Sequence, residues 1–132
     1  MLDDERKSLS AYRVEKAEEC IKASKLLYGE KCMEDAVDRA YYAIFHAARA
    51  VMACDGADRA KHSGVIAYFQ QHYVKTGIFD KEYSTVIQNA FEMRQESDYE
   101  DFYVISKEDV KIQIENAEKF TQAVKEYLNT RY

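Results

Sequence analysis

The sequence contains no proline, no tryptophan and only four glycines in 132 residues. Proline breaks helix interiors and glycine weakens them, so few natural stops interrupt a helical chain here. Cysteine is equally scarce: Cys20, Cys32 and Cys54 are an odd number with no C-x-x-C pair. That spacing argues against a zinc site of the usual kind. All three are expected to be small packing residues in a reducing cytosol. No metal or other cofactor is expected. No run of about 18 apolar residues exists, which excludes a membrane-spanning helix. The charged start, MLDDERKS, does not read as a signal peptide, so a cytoplasmic location is expected. Positive charge is in deficit too, with 19 Lys and Arg against 24 Asp and Glu, a net charge of −5. A sequence-independent grip on nucleic acid needs several Lys or Arg contacts to phosphate, and the overall balance gives it no general support.

What the chain does have is charge on a third of its residues, eleven Tyr and six Phe. Tyrosines fill cores and also favour interfaces, so they hint at self-association. The length suits one domain over residues 1–132, large enough to bury a core without disulfides or a structural metal. No repeat or low-complexity segment divides it.

The chain is organised around Glu34–Cys54, EDAVDRAYYAIFHAARAVMAC, which reads as one central helix without Gly or Pro. At 100° per residue, Val37, Tyr41, Ile44, Phe45, Ala48, Val51 and Met52 gather on one broad face. Ala36, Ala40, Ala43 and Ala47 lie beside them, small enough for a neighbouring helix to approach. A helix apolar around most of its girth is buried. The remaining polar stripe is Asp35, Arg39, Tyr42, His46 and Arg49. Either Asp35 pairs with Arg39 and the stripe meets water or a dimer partner, or it lines a groove for a ligand or partner chain.

Other helices are expected at Asp4–Tyr28, His62–Val74 and Asp80–Tyr99, and from Ser106 onward. Gly29 is the expected stop of the first, and a short turn should lay it antiparallel to the central helix. Ser63, or else His62, is the expected cap of the third. The inner stripe of the fourth is Tyr83, Val86, Ile87, Ala90 and Met93, continued by Arg94 and then Asp98. Residues 100–105 read as irregular. Ser106 with Asp109 forms a variant of the capping box, and Val110, Ile114, Ala117, Thr121, Val124 and Leu128 repeat behind it. The result is an all-α bundle of four or five helices.

Four runs carry a family resemblance: DRAYYAIFHAA at 38–48, KHSGV at 61–65 with Phe69, KTG at 75–77, and RQESDY at 94–99. In this order and spacing they resemble the HEPN domain family, over nearly the whole chain. The resemblance implies an antiparallel, up-and-down helical bundle, commonly a homodimer. Many HEPN proteins are metal-independent ribonucleases, with a signature of Arg, four to six residues, then His. Two such motifs meet across the dimer. Many are toxins paired with a minimal nucleotidyltransferase antitoxin, which in some pairs attaches AMP to a tyrosine just past the signature His.

Position by position, Arg94 fits the signature Arg. The four-residue spacing puts Tyr99 in the His slot, and longer spacings reach Glu100 or Asp101. No histidine follows His72. The modified tyrosine is not matched either: Asp101 stands two past the His slot, and Tyr103 is out of register. RNA cleavage wants a base, an acid and a cation for the phosphate. Histidine titrates near neutrality, whereas tyrosine, with a pKa of about 10, is a poor base there. Arg94 can still grip a phosphate, and Tyr99 can orient or stack on a base. His46, on the central polar stripe, is the substitute base if the fourth helix packs there. His62 reads as a helix-start or packing residue and His72 as a solvated one.

The candidate catalytic residues are therefore Arg94, Tyr99 and His46. The candidate groove for nucleotide or partner is lined by Arg39, Tyr42, His46, Arg94, Asp98 and Tyr99. A structural reading competes: Asp98 pairs with Arg94 one turn away, or reaches Arg39 and locks two helices. Three functions follow in order. The first is a non-catalytic or weakly active homodimeric partner of a nucleotidyltransferase, holding nucleotide or protein. The second is a ribonuclease toxin acting on RNA. The third is a plain helical dimerisation module.

Overall fold

The structure is a computed structural model that describes residues 3–99, 101 and 103–132. Part of the stretch expected to be irregular, Glu100 and Phe102, lies outside the described residues. The fold is an all-α bundle of five helices in chain order: α1 (Asp3–Gly29), α2 (Met33–Cys54), α3 (His62–Phe69), α4 (Lys81–Tyr99) and α5 (Lys107–Arg131).

Helix α2 is the core of the bundle. Val37, Tyr41, Ile44, Phe45, Ala48, Val51 and Met52 are all buried, and Ala36, Ala40, Ala43 and Ala47 are closed off completely or nearly so. The alanine seam lets α1 come close. Three α1 side chains then donate to carbonyls of α2: Ser24 to Ala36 at 2.5 Å, Arg13 to Arg49 at 2.9 Å and Ser10 to Ala50 at 2.8 Å. Numbers fall on α1 as they rise on α2, so the pair is antiparallel. The link between them is three residues long. Gly29 ends the helix but is not the left-handed residue there; Lys31 takes that conformation, with φ 64°.

Helix α5 buries Val110, Ile114, Ala117, Phe120, Thr121, Val124 and Leu128, the stripe expected from the four-and-three repeat. Its start is capped as expected, with the Asp109 backbone N–H donating to Ser106 Oγ at 3.0 Å. Helix α3 begins at His62 on the Lys61 cap position, and no side chain caps it. Over Gln70–Val74 it widens to a π turn, where Lys75 N–H reaches back five residues to the Gln70 carbonyl at 2.9 Å. The single helix expected to Val74 is thus a helix plus one wide turn. This arrangement seats both Phe69 and Tyr73 in the core, against Phe79, Phe120 and Tyr127. Of the expected α4 stripe only Ile87 and Ala90 are fully buried; Tyr83, Val86 and Met93 are half-buried because α4 lies at the edge of the bundle. Cys20 and Cys54 pack inside, but Cys32 is exposed in the α1–α2 link. No described helix is long and apolar enough to cross a membrane.

Candidate functional site

The polar face of α2 splits into two lines, because residues 3.6 apart share a side. Asp38, Tyr42, Phe45 and Arg49 form one line, toward α3 and α4. Arg39 and His46 form the other, toward α1.

Arg94 of α4 reaches the first line. Its Nε lies 3.3 Å from Asp38 Oδ1 and 3.0 Å from Asp98 Oδ2, and one Nη donates to Tyr42 Oη at 3.3 Å. The guanidinium sits 5.4 Å from the ring centres of both Tyr41 and Tyr42, within cation–π range. Burial alone would lower the Arg94 pKa, but Tyr42, Asp98 and Asp38 outweigh it and hold the charge firmly. Its side chain is only 19% exposed.

Asp38 is the hub that sequence reasoning missed. It also accepts from Arg39 at 3.1 Å, and the Arg39 guanidinium covers the Tyr42 ring at 4.8 Å. Asp98 therefore pairs with Arg94, one turn back on its own helix, and the expected reach to Arg39 is not the pairing adopted. The cross-helix lock exists, but it runs Arg94 to Asp38. Asp35 is exposed, and the charge facing Arg39 is again that of Asp38.

His62 joins the same cluster from the start of α3. Its Nδ1 and the buried Tyr41 hydroxyl share a hydrogen bond at 2.7 Å. Its ring stacks on Phe45 with centres 4.1 Å apart. Burial first, then the charges of Arg94 and Arg49, lower its pKa from the ordinary imidazole value. It is the packing residue expected, and it is also a titratable group beside Arg94.

His46 stands elsewhere. It turns to a groove of about 280 Å³ between α1 and α2, lined by Lys16, Glu19, Cys20, Ala23 and Arg39. Contacts with the Tyr42 and Phe45 rings, centred 6.1 and 5.8 Å from its own, are what link it to the Arg94 cluster, and no hydrogen bond among the described residues joins them. Burial, then Arg49, Lys16, Arg39 and Arg13, push its pKa down to about 4. The substitution of His46 for the missing signature His is thus not supported by position: α4 packs on the other line. Tyr99 is likewise apart. It is 77% exposed at the end of α4, and five residues on from Arg94 it starts about 140° around the helix from it. Of the six candidates, Arg39, Tyr42, Arg94 and Asp98 are brought together, while His46 and Tyr99 are not. Among the described residues no cluster of His, Cys, Asp or Glu has metal-ligand geometry.

Comparison with known proteins covers nearly the whole chain. The HEPN domain profile matches residues 10–127. A UPF0332 protein of Thermotoga maritima is 34% identical over 125 residues, covering 95% of each chain. Two proteins of Methanocaldococcus jannaschii, each named as a candidate toxin, are 36% and 33% identical, covering 87% of this chain and 85% and 78% of their own.

Proposed function

This chain belongs to the HEPN domain family, and from that membership we propose that it is the helical member of a toxin–antitoxin-type pair that works by binding rather than by cutting RNA. Its partner is a minimal nucleotidyltransferase protein, and it acts as a homodimer of single-domain chains. The binding surface is the seam of α2 and α4 around Arg39, Tyr42, Arg94 and Asp98, which takes the partner chain or its nucleotide. One observation carries this reading: Arg94 is already engaged by Asp38, Asp98 and Tyr42, and the residue in the His slot, Tyr99, stands exposed at the end of α4. The seam thus keeps a cation for binding, but the signature slot holds no histidine to move a proton in a cleavage step. The names of the two archaeal relatives support the toxin-type setting.

The test is co-purification from the native host with mass measurement of both chains. A stable pair containing a nucleotidyltransferase supports the reading. Purified chain that runs as a lone species at working concentration, with no partner under any growth condition, sinks it.

A second reading has one observation in its favour. His62 lies in the Arg94 cluster through Tyr41, so a proton carrier and a cation share one protomer. On that reading the chain is a metal-independent RNA endonuclease with Arg94 and His62 in place of Arg94 and Tyr99. RNA left intact by wild type, and equally by Arg94→Ala, removes it.

A further inference from the structure

An acidic chain can still own a local basic corner, and this one does. At the C-terminal end of α2, Arg49 meets Arg13 of α1 and the loop carrying Asp58 and Arg59. Arg13 is 8% exposed, and one Nη is tied to the Arg49 carbonyl at 2.9 Å. Its other Nη is left pointing at Asp58, 3.6 Å away. One Nη of Arg49 forks onto both Asp58 oxygens at 3.1 and 3.2 Å. Arg49 Nε is buried and has no hydrogen-bond partner among the described residues. Arg59 adds its backbone N–H to Asp58 Oδ1 at 2.9 Å and lays its guanidinium over Tyr68 at 4.6 Å.

The charge does not balance. Asp58 is the one carboxylate paired with Arg13 and Arg49 among the described residues, and Arg59 is a third cation beside it. Arg6, two turns before Arg13 on α1, has no ion pair among the described residues, and its buried Nε has no hydrogen-bond partner. Burying two guanidinium groups side by side is unfavourable unless anions answer them. Asp58 is itself 57% exposed on a loop, so it can swing away without disturbing the core.

We propose that this corner is a phosphate-binding site, with the Asp58 carboxylate seated where an incoming phosphate group binds. Arg13 is the fixed member, held by the α2 carbonyl. Arg49 supplies the Nη that now forks onto Asp58, a donor that fits phosphate oxygens as it fits the carboxylate. Displacing one carboxylate with a terminal phosphate or a diphosphate, which carry more charge, leaves the arginines better neutralised; a phosphodiester brings the same single charge and competes through the geometry of the arginine fork. The ligand class is a phosphate group presented in solution or on a strand: a diphosphate, a nucleotide, or the backbone of single-stranded RNA. The site lies about three helical turns along α2 from Asp38, so it does not depend on the binding surface proposed around Arg94.

Calorimetric titration of the full chain with pyrophosphate, with ADP and with a short single-stranded RNA tests it. Binding is expected, weakened at least about tenfold in Arg49→Gln, which loses a charged fork. Asp58→Asn should bind about threefold to fivefold more tightly, because a competing surface charge is gone. Melting curves check that each variant folds; should Arg49→Gln not fold, the exposed Arg59→Gln replaces it, with about threefold weakening expected. Saturation by pyrophosphate assigns the site to a free phosphate group, and binding of RNA alone assigns it to a phosphodiester backbone. The proposal is overturned if none of the three binds. It is also overturned if the arginine variant that folds binds as wild type does, or if Asp58→Asn binds no more tightly.

Discussion

Arg94 on α4 and Asp38 on α2 meet, Nε to Oδ1, at 3.3 Å across the seam between their helices. Both are largely shielded, at 19% and 26% exposure. The pair therefore differs in kind from Arg94 with Asp98, which joins two residues of one helix. Asp38→Asn should lower stability by about 1–2 kcal/mol, since it weakens a shielded charged contact and leaves Arg39 and Arg94 facing each other. Asp98→Asn should cost no more than about 0.5 kcal/mol, the range of an i, i+4 pair. Urea unfolding of the two variants checks the order; equal losses would place the lock at Asp98 after all.

Below the ordinary imidazole pKa of 6.5 the unfolded chain takes up a proton that folded His46 refuses until about pH 4. The unfolded state thus binds more protons in that window, and stability falls as pH drops through it. His46→Gln removes this contribution. The variant should lose less stability than wild type between about pH 6.5 and pH 4, measured by urea unfolding across that range. His62 is lowered in the same direction, so variant and parent must be compared directly.

The Tyr41 hydroxyl and His62 Nδ1 hydrogen-bond each other, and neither has a second hydrogen bond among the described residues. Tyr41→Phe should cost about 1 kcal/mol, the value of one hydrogen bond with an acceptor left half-buried. His62→Ala should cost about 2 kcal/mol, because stacking on Phe45 goes with it. Thermal melting of the two single variants and the double variant measures the coupling, which should be close to the Tyr41→Phe loss.

Gly56 follows α2 with φ +72°, in the left-handed region, and a methyl group there would come within 2.8 Å of the Arg6 guanidinium carbon. Gly56→Ala should cost about 1–2 kcal/mol from the backbone alone. The Arg6 end is flexible and can move aside, so Arg6→Ala in the same background should restore little. Melting temperatures of the single and double variants decide this.

Much of the fold could be read from the residues. The α2 periodicity identified its buried faces, and the four-and-three repeat identified that of α5, because side-chain period alone governs which face turns inward. The candidate site was less legible. Arg94, Tyr42, Arg39 and Asp98 were found because charges on apolar faces need partners. Asp38 was passed over because the partner of a charge on one helix depends on how two helices cross, which spacing along either does not encode. His46 and Tyr99 were misplaced for a related reason. A polar stripe is broad enough to face two neighbours, and the sequence does not say which neighbour takes which line. Gly29 was legible as the end of α1, whereas the left-handed turn at Lys31 was not, because the three-residue link places its reversal two residues later.

Ser10, Arg13 and Ser24 fasten α1 to the carbonyl edge of α2 at three points spread along its length. A slip of one residue is a shift of about 1.5 Å and a turn of the helix, enough to unseat all three at once. The hairpin consequently behaves as a stiff beam. Sliding α1 along α2 therefore costs those contacts together, so the register of the pair is set as one unit.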